Sequence, residues 1–152
     1  MKKLLLMVVA LLALAAPAAY AAEHGGHMPG MTHSGSAAHE EVVNGVKATF
    51  TVQTMKEAMK AMGMEMPAGV KDTHHISVSF IDVKSGKTIS SGEVMVKVQA
   101  PDKTTQTKEM MGMHGHFGAD FTLAKKGKYG VMCKFKLQDG KERSSKFWYE
   151  IK

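Results

Sequence analysis

From Met110 to Phe121 the chain reads MMGMHGHFGADF, which puts three thioethers and two imidazoles into the first seven positions. Thioether sulfur is soft and uncharged and suits Cu(I), while imidazole accepts Cu(I), Cu(II) or zinc. Zinc sites are built from Cys, His and carboxylate, so Met111, Met113, His114 and His116 together favour copper. Met111-Gly112-Met113 is an M-x-M pattern that lets two thioethers converge on one ion, and Gly permits the tight backbone this needs. Met also fills irregular gaps in a core, but packing does not account for His-Gly-His beside it.

Two further stretches carry the same residue types. Met62-Gly63-Met64-Glu65-Met66 repeats the M-x-M spacing, making Met64 and Met66 candidate partners. Thr73-His74-His75-Ile76 opens a strand whose alternation sends His74 with the apolar face and His75 outward, both at one end of the domain. Of this pair His74 is the candidate ligand. Cys133 is the only cysteine, so no internal disulfide can form, and its register with Tyr129, Val131 and Phe135 reads as a buried, inert thiol. A blue-copper centre needs Cys followed closely by His and Met. Lys134-Phe135-Lys136-Leu137 follows instead, and no arrangement for acyl, phosphoryl or glycosyl transfer is seen. The signals are for binding, not catalysis.

The elements that must position these residues are strands. Val46, Ala48, Phe50 and Val52 alternate with Lys47, Thr49, Thr51 and Gln53, the pattern of a half-buried strand. The same test finds strands over His74–Ile81, Val94–Gln99, Phe117–Leu123, Tyr129–Leu137 and Arg143–Ile151, with a weaker one over Thr104–Met110. Ser85-Gly86, Lys126-Gly127 and Asp139-Gly140 mark tight connections. About seven short strands with regular turns predict an all-β, immunoglobulin-like antiparallel sandwich, and Gly127-x-Tyr129 resembles the tyrosine-corner entry to one of its strands. One exception is Thr54–Gly63, TMKEAMKAMG, where Met55, Met59 and Met62 fall on one face of a short helix that covers the core. The Met-x-Met/His-Gly-His loop then sits at the sandwich rim.

The beginning of the chain has a different character. Lys2 and Lys3, the apolar run Leu4–Ala16 and the A-x-A site Ala19-Tyr20-Ala21 form a signal peptide over residues 1–21. Residues 22–41, rich in Gly, Ser and His, read as a disordered His/Met-rich tail, and residues 42–152 as the folded domain. The whole chain carries 14 Met, 8 His and a formal charge of +6. Its lysines are scattered along strand-like segments without an Arg-rich stripe, which argues against nucleic acid as a partner. No membrane contact is expected once the leader is cut.

Thr73-His74-His75-Ile76-Ser77-Val78, Met111-Gly112-Met113 with His116-Phe117-Gly118-Ala119, and Gly127-Lys128-Tyr129-Gly130-Val131 resemble the YtkA-like group of small periplasmic domains. The chain is also similar to the periplasmic copper-binding accessory proteins of iron uptake. The resemblance covers roughly residues 42–152 and implies an immunoglobulin-like sandwich that holds copper with Met and His at one end, pointing to Met111, Met113 and His116. The sequence departs from it in Phe117, where an aromatic hydroxyl would sit, and in the added His114.

The expectation is an exported, non-catalytic copper carrier, chaperone or buffer that meets another periplasmic metal-handling protein. Residue types alone also admit silver, iron or zinc. The alternative is an interaction module whose Met-rich surface grips another exported protein. Cleavage after Ala21 would leave Ala22-Glu23-His24 at the terminus. There the amine, two backbone amides and the His24 imidazole can enclose Cu(II) in the square plane it prefers; cleavage after Ala22 would move His24 to second place. Comparison of the mature peptide with an N-acetylated copy tests this. The visible absorption of the Cu(II)–nitrogen complex should vanish on acetylation, and equal spectra would exclude the site.

Overall fold

The computed structural model describes residues 35–152. The leader over 1–21, the tail as far as residue 34 and His24 lie outside these residues. The strands are β1 (Ala37–Val43), β2 (Val46–Thr54), β3 (His74–Asp82), β4 (Thr88–Ile89) and β5 (Gly92–Gln99). They continue with β6 (Thr105–Glu109), β7 (Met111–Met113), β8 (His116–Phe121), β9 (Gly127–Leu137) and β10 (Glu142–Ile151), and one helix, α1, spans Met55–Ala61. Sheet one runs β1-β2-β3-β8-β7, with β4 also paired to β3; sheet two runs β10-β9-β5-β6. Every pairing is antiparallel. This is the expected immunoglobulin-like sandwich.

Each inner face is the apolar half of an alternating strand. Phe50, Ile76, Val78, Phe80, Phe117 and Phe121 from sheet one meet Val94, Val96, Val98, Val131 and Phe135 from sheet two, all at 2% exposure or less. Phe80 joins the layers, its ring centroid 4.5 Å from that of Phe135 and 5.6 Å from that of Phe117. At the opening of β9, the Tyr129 hydroxyl donates to Lys125 O at 2.8 Å and accepts from Lys125 N at 2.9 Å, a closed tyrosine corner.

The chain changes sheets at Met110. Glu109 still pairs with Met95 in sheet two, Met111 already pairs with Gly118 in sheet one, and Met110 between them is buried, its N–H donating to Val94 O at 2.8 Å. The Met/His stretch is therefore an edge hairpin, not the expected rim loop. Its two-residue turn, His114-Gly115, has φ of 41° and 88°, as a type I′ turn requires.

Two other expectations are corrected. The tail was expected to reach residue 41, yet β1 begins at Ala37. It is held by main-chain pairing to β2, by Ala38 and Val43 against the core and by side-chain contacts that leave no regular apolar period to read. Glu40 pairs with Lys47 at 2.8 Å, Ser145 Oγ donates to Glu41 at 2.6 Å, and His39 stacks on Phe147 with centroids 4.9 Å apart. In α1, opened by a Thr54–Glu57 capping box, the buried residues are Met55 and Ala58. Met62, expected on the covered stripe, is the C-cap and 47% exposed.

Cys133 lies inside sheet two between Val96 and Ser145 in register, 1% exposed, and burial pushes its thiol pKa up to about 12. Cys133→Ser should cost about 1–3 kcal/mol of stability by placing a hydroxyl in an apolar layer, measured by denaturant unfolding. In the folded protein the thiol should resist alkylation at neutral pH, because the thiolate is the nucleophile.

Candidate metal centre on the outer face of sheet one

Strand alternation decides which side chains share a face. With Ile76 and Val78 facing the core, His75 and Ser77 face outward from β3; with Phe117 and Phe121 inward, His116, Gly118 and Asp120 face outward from β8. Register then aligns them: His75 opposite Asp120, Ser77 opposite Gly118, Met111 opposite Gly118 and Met113 opposite His116. Directly paired residues project to the same side of a sheet. The outer face of β3-β8-β7 thus collects His75, His116, Asp120, Met111 and Met113 from three strands.

Gly118 is the floor of this cluster. A Cβ placed on it would lie 2.6 Å from His75 Nε2 and 2.9 Å from the Met113 methyl, so both side chains converge over its bare backbone. No larger residue fits there without moving them. The His75 ring is fixed from its other nitrogen: Nδ1 lies 2.7 Å from Asp120 Oδ1. An ionised carboxylate only accepts, so Nδ1 carries the proton, and in the neutral ring Nε2 is the nitrogen with the free lone pair, over Gly118. This carboxylate–histidine arrangement is the one that orients imidazole ligands around metals. On the β2 side stands Gln53, opposite His75 in register and 5% exposed. Its Nε2 has no hydrogen-bond partner among the described residues.

The remaining candidates are placed as follows. Met111 shares the outer face and is 74% exposed; His116 is half-buried beside Met113. His114, in the turn, is exposed. His74 lies on the opposite face of β3, with its Nδ1 2.8 Å from Thr73 Oγ1. Burial lowers its pKa by penalising the imidazolium, against a smaller opposing pull from Glu57. Met64 and Met66 are exposed on the segment after α1 and line a shallow cavity with Lys56, Met59 and Lys60, apart from β7 and β8. Sequence reasoning turned His75 outward but did not rank it as a ligand. Its alternation with Ile76 and Val78, set beside the outward Asp120 and His116, was the available signal.

Among the described residues no three His, Cys, Asp or Glu side chains converge to hold a metal ion; the groups that meet over Gly118 are the His75 ring and the Met113 methyl. The fold and this cluster define a small immunoglobulin-like sandwich with a histidine–thioether outer face. No protein-family model and no curated protein matches the chain. Its fold is similar to that of FetP from uropathogenic Escherichia coli strain F11. To the as-isolated form the TM-score is 0.59 at 14% identity over 76% of this chain and 93% of that one. To a copper-bound variant of FetP it is 0.59 at 16% identity, covering 75% and 94%. A DUF4426 family protein from Pseudomonas aeruginosa PAO1 aligns with TM-score 0.57 at 12% identity, covering 74% and 96%.

If Asp120 sets the tautomer, nitrogen-detected NMR of the metal-free protein should find His75 protonated at Nδ1. Asp120→Ala should move it toward the tautomer mixture of free imidazole while the fold persists. An unchanged His75 spectrum would separate the ring from the carboxylate.

Proposed function

We propose that this chain is an exported copper-binding protein that carries or buffers the ion on the outer face of β3-β8-β7. His75 Nε2 and Met113 are its inner ligands, with His116 and Met111 beside them. The observation that carries this reading is the convergence of His75 Nε2 and the Met113 side chain over Gly118, with Asp120 behind the imidazole. Neutral imidazole and thioether donors suit Cu(I), since they bind a soft monovalent ion without adding charge. Gly118 supplies room and Asp120 supplies orientation. The group is cargo, and the role is binding without turnover. The copper-bound state of FetP, which shares this sandwich, supports copper among the soft ions. The leader-like residues 1–21 support export.

Because Met111 is 74% exposed at the edge of the sheet, a partner protein can approach it without the sandwich opening. The Met64/Met66 segment and His114 stand outside this ligand set. The test is competition against a Cu(I) chelator. His75→Ala and Met113→Leu should each weaken Cu(I) binding at least tenfold, about 1.4 kcal/mol or more. Met113→Leu keeps apolar volume, so stability should change by less than about 1.5 kcal/mol. Met64→Leu and His114→Ala should bind as the parent does. Parent affinity in both His75→Ala and Met113→Leu would remove the outer face from copper binding.

A further inference from the structure

The outer face of sheet two carries a feature that metal binding does not use. Trp148, the only tryptophan in the chain, is 61% exposed. It sits opposite Gly130 in register and lies down over it: a Cβ on Gly130 would be 3.1 Å from the six-membered ring of the indole. The ring is thus laid along the sheet, and Lys146 Nζ lies over it, 5.2 Å from its centroid. Beside it, Lys146 pairs across the sheet with Met132, and Met132 in turn with Lys97. Toward the sandwich end, Lys128 pairs with Glu150, and exposed Lys126 precedes β9. The nearby acid Asp102 is occupied by Lys125. The patch is an amphipathic aromatic ring among lysines; Glu150 stands opposite Lys128, and Glu109, opposite Met95, lies on the β6 side of the same face.

Against the expectation of no membrane contact after the leader is cut, we propose that this face docks on an anionic lipid surface, with Trp148 at the headgroup level and Lys97, Lys126, Lys128 and Lys146 on the phosphates. Composition separates this occupant from a protein. Protein interfaces are enriched in Arg and depleted in Lys, whereas the one Arg of this chain, Arg143, is buried and tied to Asp139 at 2.6 Å. Tryptophan with lysine is the pairing of membrane interfaces, where the ring straddles the polar boundary and long amine stems reach phosphate. No helix among the described residues is long and apolar enough to cross a membrane. Sheet two docks while sheet one, carrying His75 and Met113, faces away from the lipid. The inference does not depend on metal binding.

The full chain without its leader, kept metal-free with a chelator, is mixed with vesicles of phosphatidylglycerol and phosphatidylcholine or of phosphatidylcholine alone. Trp148 emission should shift to the blue, and the protein should sediment, with the anionic vesicles only. Binding should weaken at least tenfold between low and high salt, as exposed charges are screened. Trp148→Ala, followed by sedimentation, and the double charge reversal Lys128→Glu/Lys146→Glu should each reduce binding at least fivefold at unchanged melting temperature. The assignment is overturned by equal binding to both vesicle types, or by sedimentation that leaves Trp148 emission unmoved. It is also overturned if neither variant lowers binding, or if a polyglutamate peptide shifts Trp148 emission while vesicles do not.

Discussion

The core of the sandwich dictates what its surface presents. A strand that buries alternate residues has no freedom in where it sends the others. Phe80, Phe117 and Phe121 are at 2% exposure or below; to keep them there, β8 must turn His116, Gly118 and Asp120 outward, and β3 must turn His75 beside them. A one-residue slip of β8 against β3 would expose two phenylalanines and bury a carboxylate. The aromatic core therefore enforces the alignment of His75 with Asp120 and of Ser77 with Gly118. The side-chain geometry on this face is a by-product of apolar burial.

Polar contacts then lock the end of the sandwich where Asp120 sits. Lys108, from β6 of the opposite sheet, donates to Asp72 at 3.1 Å and to the carbonyl of Asp120, and lies 5.4 Å from the Phe121 ring centroid. Thr122 Oγ1 donates to Asp72 at 2.9 Å, while the Gln106 amide exchanges hydrogen bonds with the backbone of Thr122 at 2.8 and 3.0 Å. These bonds tie sheet two to the end of β8 and hold the backbone that carries Asp120. Groups so linked rigidify their surroundings more than each pair alone would. The residue that orients His75 is itself held from the other sheet.

The parts of this fold legible in the sequence were those with period. The inward sets of β2, β3, β5, β9 and β10 follow from alternation, and the Tyr129 corner follows from Gly127-x-Tyr129. β1 was hidden because its few core contacts, Ala38, His39 and Val43, follow no alternation, although Asn44-Gly45, with φ of 46° and 78°, is the strongest short hairpin signal there is. β7 was read as loop because three residues are too few to show alternation. The site was half legible: the hairpin supplied Met111, Met113 and His116 by composition. His75 depended on a pairing between β3 and β8 that joins residues more than forty positions apart in the chain, and no local pattern carries that register.

The two innermost donors stand on unequal footing. His75 belongs to β3 and is paired on both sides, with Gln53 of β2 and Asp120 of β8, so displacing it means breaking the middle of a sheet. Met113 belongs to a three-residue edge strand with β8 as its one neighbour. Opening free energies run from near zero at short edges to the global value in central strands. Fraying of β7 releases the sulfur while the imidazole stays in place, so the cluster has a fixed post and a hinged latch. An ion leaving this face would shed its thioether first and depart from a single nitrogen, a stepwise exit that lets an incoming ligand take each vacated position before the next bond breaks.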